Sequence, residues 1–108
     1  MEYRIHKRTG DKISVIGLGT SYISDTPQKE AVAALVCAHE NGINFADLAT
    51  AGASTFGYYG EAFSSCRKEM IYQVHFGANY ETGEYGWTTE LETVKRQIDW
   101  QLKELKTD

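Results

Sequence analysis

Asn41-Gly42 followed by Ile43-Asn44-Phe45-Ala46-Asp47 is the stretch that most narrows what this chain can build. Glycine suits the left-handed position just past a helix end. The next four residues are too few for a helix but enough for a short strand. The helix before them is also well marked. Thr26 reads as its N-cap and Pro27 as its first residue, where a missing N–H costs nothing. Val32, Leu35, Val36 and His39 recur at helical spacing and form the expected buried stripe. A helix passing straight into a strand is the step from which helix-covered sheets are made.

The same alternation runs through the rest of the chain. Tyr3–Arg8 and Lys12–Val15 flank Thr9-Gly10-Asp11, which predicts a small hairpin over about 3–15. Val15-Ile16-Gly17-Leu18-Gly19 is a candidate buried parallel strand. Thr55 to Ser65 is expected to be helical, although Gly57 and Gly60 weaken it. Met70–Phe76 reads as a strand and Gly77–Trp87 as a long loop. Thr89-Glu90-Leu91-Glu92 has the form of a capping box, and Leu91, Val94, Ile98, Leu102 and Leu105 mark one face of a last helix. After the hairpin come three βα units, over about 15–41, 43–65 and 70–106. That order predicts an α/β chain with a parallel sheet and right-handed crossovers.

Composition excludes several classes of function. The net charge is −4, and no basic group is denser than Lys7 and Arg8 beside His6. A nucleic-acid partner is therefore not expected. No apolar run approaches the ~18–20 residues that span a bilayer. Met1–Arg4 lacks the apolar core of a signal peptide. No membrane partner is expected, and the expected location is cytoplasmic. Cys37 and Cys66 stand apart, so free thiols are expected and no metal site. Two cysteines alone cannot ligate an iron–sulfur cluster.

Val15-Ile16-Gly17-Leu18-Gly19-Thr20, then Gly42-Ile43-Asn44-Phe45-Ala46-Asp47, resembles the aldo-keto reductase family. Gly60-Glu61-Ala62-Phe63 with Arg67 looks like the family's second-helix run. Gln101-Leu102-Lys103-Glu104-Leu105-Lys106-Thr107-Asp108 is similar to the end of its third helix. The resemblance implies a (β/α)8 TIM barrel that binds NADP(H) and reduces small carbonyl substrates. It also implies that these residues form an incomplete barrel, the N-terminal hairpin and three of eight units, against the ~250 residues of a whole one. The remaining barrel units, or further copies of the chain, are then the expected partners of its open sheet edges. Phe76-Gly77, Tyr80, Gly83, Tyr85 and Trp87 look like a branch of the family that carries extra C-terminal iron–sulfur cysteines; no such cysteines occur here.

The family's site uses Asp, Tyr, Lys and His. Asp47 matches the Asp, at a strand's C-terminal end where barrels do chemistry. The Tyr falls at Gly52, the Lys at His75, and the His beyond Asp108. Asp47 and His75 are thus the candidate catalytic residues, histidine being an acid that titrates near neutrality. Tyr58 or Tyr59 could reach inward from the helix. Gly19, Thr20, Ser21 and Asp47 are the candidate cofactor contacts. Each has a plainer reading: Asp47 caps the next turn, His75 is a partly buried histidine with one partner, and Gly19 serves a tight turn. Cys37 reads as inert packing, Trp87 as a loop anchor and Trp100 as helix packing. Three functions follow: part of an NADP(H)-dependent oxidoreductase inactive by itself, a non-catalytic or redox-partner relative without the usual Tyr and Lys, or a small α/β domain completed by self-association.

Overall fold

The computed structural model describes residues 1–108. Strands β1 (Tyr3–Ile5) and β2 (Lys12–Ser14) form an antiparallel hairpin with Tyr3 opposite Ser14. Gly10 closes its turn at φ +80° and donates its N–H to the His6 carbonyl (2.8 Å). Asn44 ties this hairpin to the next layer. Its side-chain oxygen accepts from the Ser14 N–H at 2.8 Å, and its amide donates to the Lys12 carbonyl at 2.8 Å.

Helix α1 (Gln28–Glu40) ends at Asn41, and Gly42 follows at φ +94°. Its start differs from the expectation. Pro27 holds the N-cap position with extended backbone (ψ 136°), and the Thr26 hydroxyl bonds back to the Tyr22 carbonyl instead of capping. Ala31 and Leu35 carry the buried face, while Val32 and Val36 are only half-buried and Cys37 is exposed.

Strands β3 (Phe45–Asp47) and β4 (Ile71–Gln73) pair parallel, with Asp47 opposite Gln73. The segment expected as the first barrel strand makes one parallel bridge, Leu18 to Ala46. Leu18 donates to the Phe45 carbonyl and accepts from the Asp47 N–H, both at 2.9 Å. These three parallel segments are side by side and do not close into a barrel. Helix α2 (Ser54–Ala62) connects β3 to β4 through a 3-10 turn at Arg67–Glu69, so the helix expected to reach Ser65 stops three residues early.

The stretch 77–87 is not all loop. It folds into a two-residue ribbon, β5 (Ala78–Asn79) with β6 (Gly86–Trp87), turning at Gly83 with φ +90°. Helix α3 (Leu91–Glu104) begins one residue later than a Thr89 capping box requires. Its cap is Glu90, whose carboxylate accepts from the N–H groups of Glu92 (3.0 Å) and Thr93 (2.6 Å) and from the Thr93 hydroxyl. These bonds, the Thr93 hydroxyl's foremost, hold Glu90 below the ordinary carboxylate range. Val94, Gln97, Gln101 and Leu105 face the core, and Leu91 is exposed.

The core joins Leu35 of α1 to Ala46 and Leu48 of the sheet, to Phe56, Tyr59 and Phe63 of α2, and to Leu105. Gly60 is where α2 and α3 cross. A Cβ there would sit 2.0 Å from the Glu104 carbonyl oxygen and 3.3 Å from the Leu105 Cα. Alanine in a helix ordinarily gains about 1 kcal/mol over glycine. Here the clash is with backbone, so Gly60→Ala is expected to destabilise by about 1–3 kcal/mol. Thermal unfolding followed by circular dichroism checks the sign; a higher midpoint contradicts the crossing.

Candidate active site

Asp47 is the last residue of β3, and His75 lies two residues past β4. Leu48 extends the ladder by donating to the Gln73 carbonyl at 2.9 Å. Two neighbouring parallel strands thereby release their side chains at the same C-terminal rim. His75 Nε2 is 2.5 Å from Asp47 Oδ1. Both side chains are about two-fifths exposed, 41% for His75 and 42% for Asp47. At that exposure the pair adds little to stability, and its main effect is orientation. A neutral imidazole facing a carboxylate must carry its hydrogen on Nε2, which leaves Nδ1 as the acceptor. The turn after β3 is held by Thr50, whose hydroxyl donates to the Gly52 carbonyl (3.0 Å) and shares a hydrogen bond with the Thr55 hydroxyl (2.8 Å). Asp47 is thus free of the capping role.

A cavity of about 330 Å3 opens beside His75, lined also by Ser21, Ala49, Ala51, Tyr80 and Tyr85. The ribbon supplies its aromatic wall. Gly52 bridges to Glu84, the Tyr85 N–H donates to the Ala51 carbonyl (2.8 Å), and the Ala53 N–H donates to the Gly83 carbonyl (2.8 Å). These bonds zip the loop after β3 to the ribbon turn. Tyr80 is fixed twice, by its hydroxyl on the Thr50 carbonyl (2.9 Å) and by its N–H on Gln97 Oε1 (2.7 Å).

Burial and the neighbouring Tyr85 push the Tyr80 phenol up to about 12, against the opposing bond to Thr50. Burial likewise pushes Tyr72 up to about 12, against the Arg67 cation, and Tyr59 is raised further. An unfolded chain ionises its tyrosines near pH 10. The raised folded values therefore add stability that is complete below about pH 10 and is lost as pH rises toward 12. Urea midpoints measured at pH 8, 10 and 11.5 should fall across the last interval. A constant midpoint contradicts the burial of these phenols.

The other sequence candidates are dispersed. Ser21 is exposed and lines the cavity with His75. Thr20 is buried, its hydroxyl without a hydrogen-bond partner. Gly19 is exposed with open space where a Cβ would be and no positive φ, so no tight turn demands glycine there. Gly52 would accept a Cβ at ordinary contact distance, 3.6 Å from that of Ser24. No phenol stands at that position. Tyr59 does not reach the cavity: it is fully buried against Phe63 and Tyr72. Tyr80 and Tyr85 were not singled out as site residues from sequence. The usable signal was Gly83 flanked by residues of strand-forming type, a turn that folds the aromatics back.

No family model matches the chain, and no curated protein matches it. Solved structures do. Two from Pseudomonas aeruginosa, described as aldo-keto reductases, match with TM-score 0.77 at 26% and 27% identity. They are covered over 42% and 43% of their length, and 98% of this chain is covered. The fold is that of part of an aldo-keto reductase. An aldo-keto reductase of Bacillus halodurans, solved in its holo form, matches over the whole chain with TM-score 0.78 and 24% identity, a likeness of fold. The chain spans about two-fifths of the length of these aldo-keto reductases. No helix of this aldo-keto reductase-like unit is long and apolar enough to cross a membrane.

Proposed function

We propose that this chain supplies the first βα units of an NADP(H)-dependent, cytoplasmic oxidoreductase acting on a small carbonyl compound, and that it is inactive without the rest of the barrel. The observation that carries this reading is the Asp47–His75 pair at the rim of two adjacent parallel strands, opening on a cavity. Asp47 orients the ring, and His75 exchanges a proton with bound substrate through Nδ1. Ser21, with the backbone of Gly19 and Thr20, forms the cofactor side.

The cavity itself does not fit a whole dinucleotide. None of its lining residues is lysine or arginine, so nothing in it neutralises phosphates. Those partners belong to other parts of a complete barrel, and no reaction step is assigned through the cofactor here. Ile16, Phe76 and Trp87 are more than half exposed, and the missing units would cover such faces. In their absence the isolated chain self-associates; a folded monomer in sedimentation contradicts this.

The reading is tested by grafting residues 1–108 in place of the matching segment of the B. halodurans aldo-keto reductase. The graft should consume NADPH with a small ketone, followed at the cofactor's absorbance, and the isolated chain should not. A graft that folds and binds NADPH but never oxidises it supports the non-catalytic relative instead, which the empty tyrosine position at Gly52 favours.

A further inference from the structure

We propose that the cavity beside His75 selects an uncharged aromatic compound of a single ring bearing one carbonyl or hydroxyl group. The carbonyl assignment rests on the oxidoreductase reading; the ring and the neutrality rest on the cavity alone. Tyr80 and Tyr85 form one wall, their ring centroids 6.0 Å apart and tilted 67°. Together they present a ring face and a ring edge, the two surfaces against which an aromatic ligand packs. Ala49 and Ala51 line the cavity with no side chain larger than a methyl group, which leaves room for a flat group.

The polar groups limit what else the ligand carries. Lining residues include no lysine, arginine, aspartate or glutamate. A carboxylate or phosphate would lose its hydration there without a partner. The Tyr80 hydroxyl is committed to the Thr50 carbonyl, and the Thr50 hydroxyl to Thr55 and Gly52. Three lining polar groups stay free: the His75 nitrogen turned away from Asp47, and the hydroxyls of Ser21 and Tyr85, which make no hydrogen bond within the chain. A ligand hydroxyl donates to the His75 nitrogen and accepts from Ser21, whereas a ligand carbonyl accepts from a Ser21 or Tyr85 hydroxyl. The volume, about 330 Å3, is at the small end of ligand pockets, about 300–1,000 Å3. It takes a substituted ring.

The test is a 1H–15N NMR titration of the 108-residue chain with acetophenone, acetone and benzoate in turn. Acetophenone should give saturable shifts at Ala49, Ala51, His75 and Tyr85. Acetone and benzoate should each need about tenfold higher concentration, the ring and the charge each being worth about 1.4 kcal/mol. Tyr85→Ala should weaken acetophenone about fivefold with α3 amides unmoved, and Tyr85→Phe should retain the binding. Equal binding of acetone overturns the aromatic assignment, equal binding of benzoate overturns the neutrality, and no saturable shift at these residues overturns both. The grafted barrel separates this from the oxidoreductase reading. NADPH consumption with aliphatic ketones only would leave that reading intact and refute the ring. Acetophenone binding here without NADPH consumption by the graft would do the reverse.

Discussion

Truncating Phe56 to alanine is expected to cost about 3–5 kcal/mol of folding stability. The side chain is 1% exposed, and its ring meets Tyr80 at 5.1 Å and Trp100 at 5.2 Å, both edge-on. One residue of α2 therefore holds the ribbon and α3 together. Small domains are stable by only about 5–15 kcal/mol in total, so this loss removes a large share. The effect is not confined to stability. Tyr80 is both a partner of Phe56 and a wall of the cavity, so the variant should also broaden the Tyr80 and Tyr85 signals. Urea unfolding measures the first part; a loss under about 1 kcal/mol means the three rings do not share one packed cluster.

His75→Phe in the grafted barrel should lower kcat by about 10²–10⁴-fold, the usual worth of a positioned proton-transfer group. Phenylalanine keeps the ring's area while removing both nitrogens, so KM should change little. Asp47→Asn should also lower kcat, since an amide no longer fixes which nitrogen of His75 carries the hydrogen. A kcat within threefold of the parent for His75→Phe would mean that the proton travels by another route, Tyr85 being another acid that lines the cavity.

What could be read before any coordinates were local signals whose outcome did not depend on distant packing. Gly42 ending α1 and the strand around Phe45–Asp47 followed from backbone geometry that few residues other than glycine tolerate. The order of elements followed from their periodicities. Caps were less legible: α1 starts after Pro27, which offers no side-chain oxygen, because the Thr26 hydroxyl bonds back to Tyr22, and α3 is capped by Glu90 where Thr89 also carried an oxygen. The buried face of α3 was read in part: Val94 and Leu105 are buried as expected, but Leu91 is exposed and Gln97 and Gln101 are polar yet turned inward, Gln97 toward the Tyr80 N–H. Hydrophobic spacing cannot find a glutamine buried in this way.

The site divided similarly. Asp47 stood out at the end of a legible strand and His75 through the family resemblance, and their 2.5 Å contact required only that β3 and β4 be neighbours. The aromatic wall was hidden for a different reason. It depends on the Gly52–Glu84 bridge, a pairing between two loops over 30 residues apart in sequence, which no local pattern announces. Family likeness directed attention to the residue missing at Gly52, whereas the backbone of Gly52 is what carries Tyr85 into place.

The pairing of the two strand-end side chains is read most directly by 15N-detected NMR of the histidine rings at pH 7.5 to 8. The account predicts that His75 carries its hydrogen on Nε2, with a downfield proton signal that vanishes in Asp47→Asn. Ring signals averaged between both tautomers and unchanged by Asp47→Asn would contradict it, because no fixed acid–base pair would then stand at the rim.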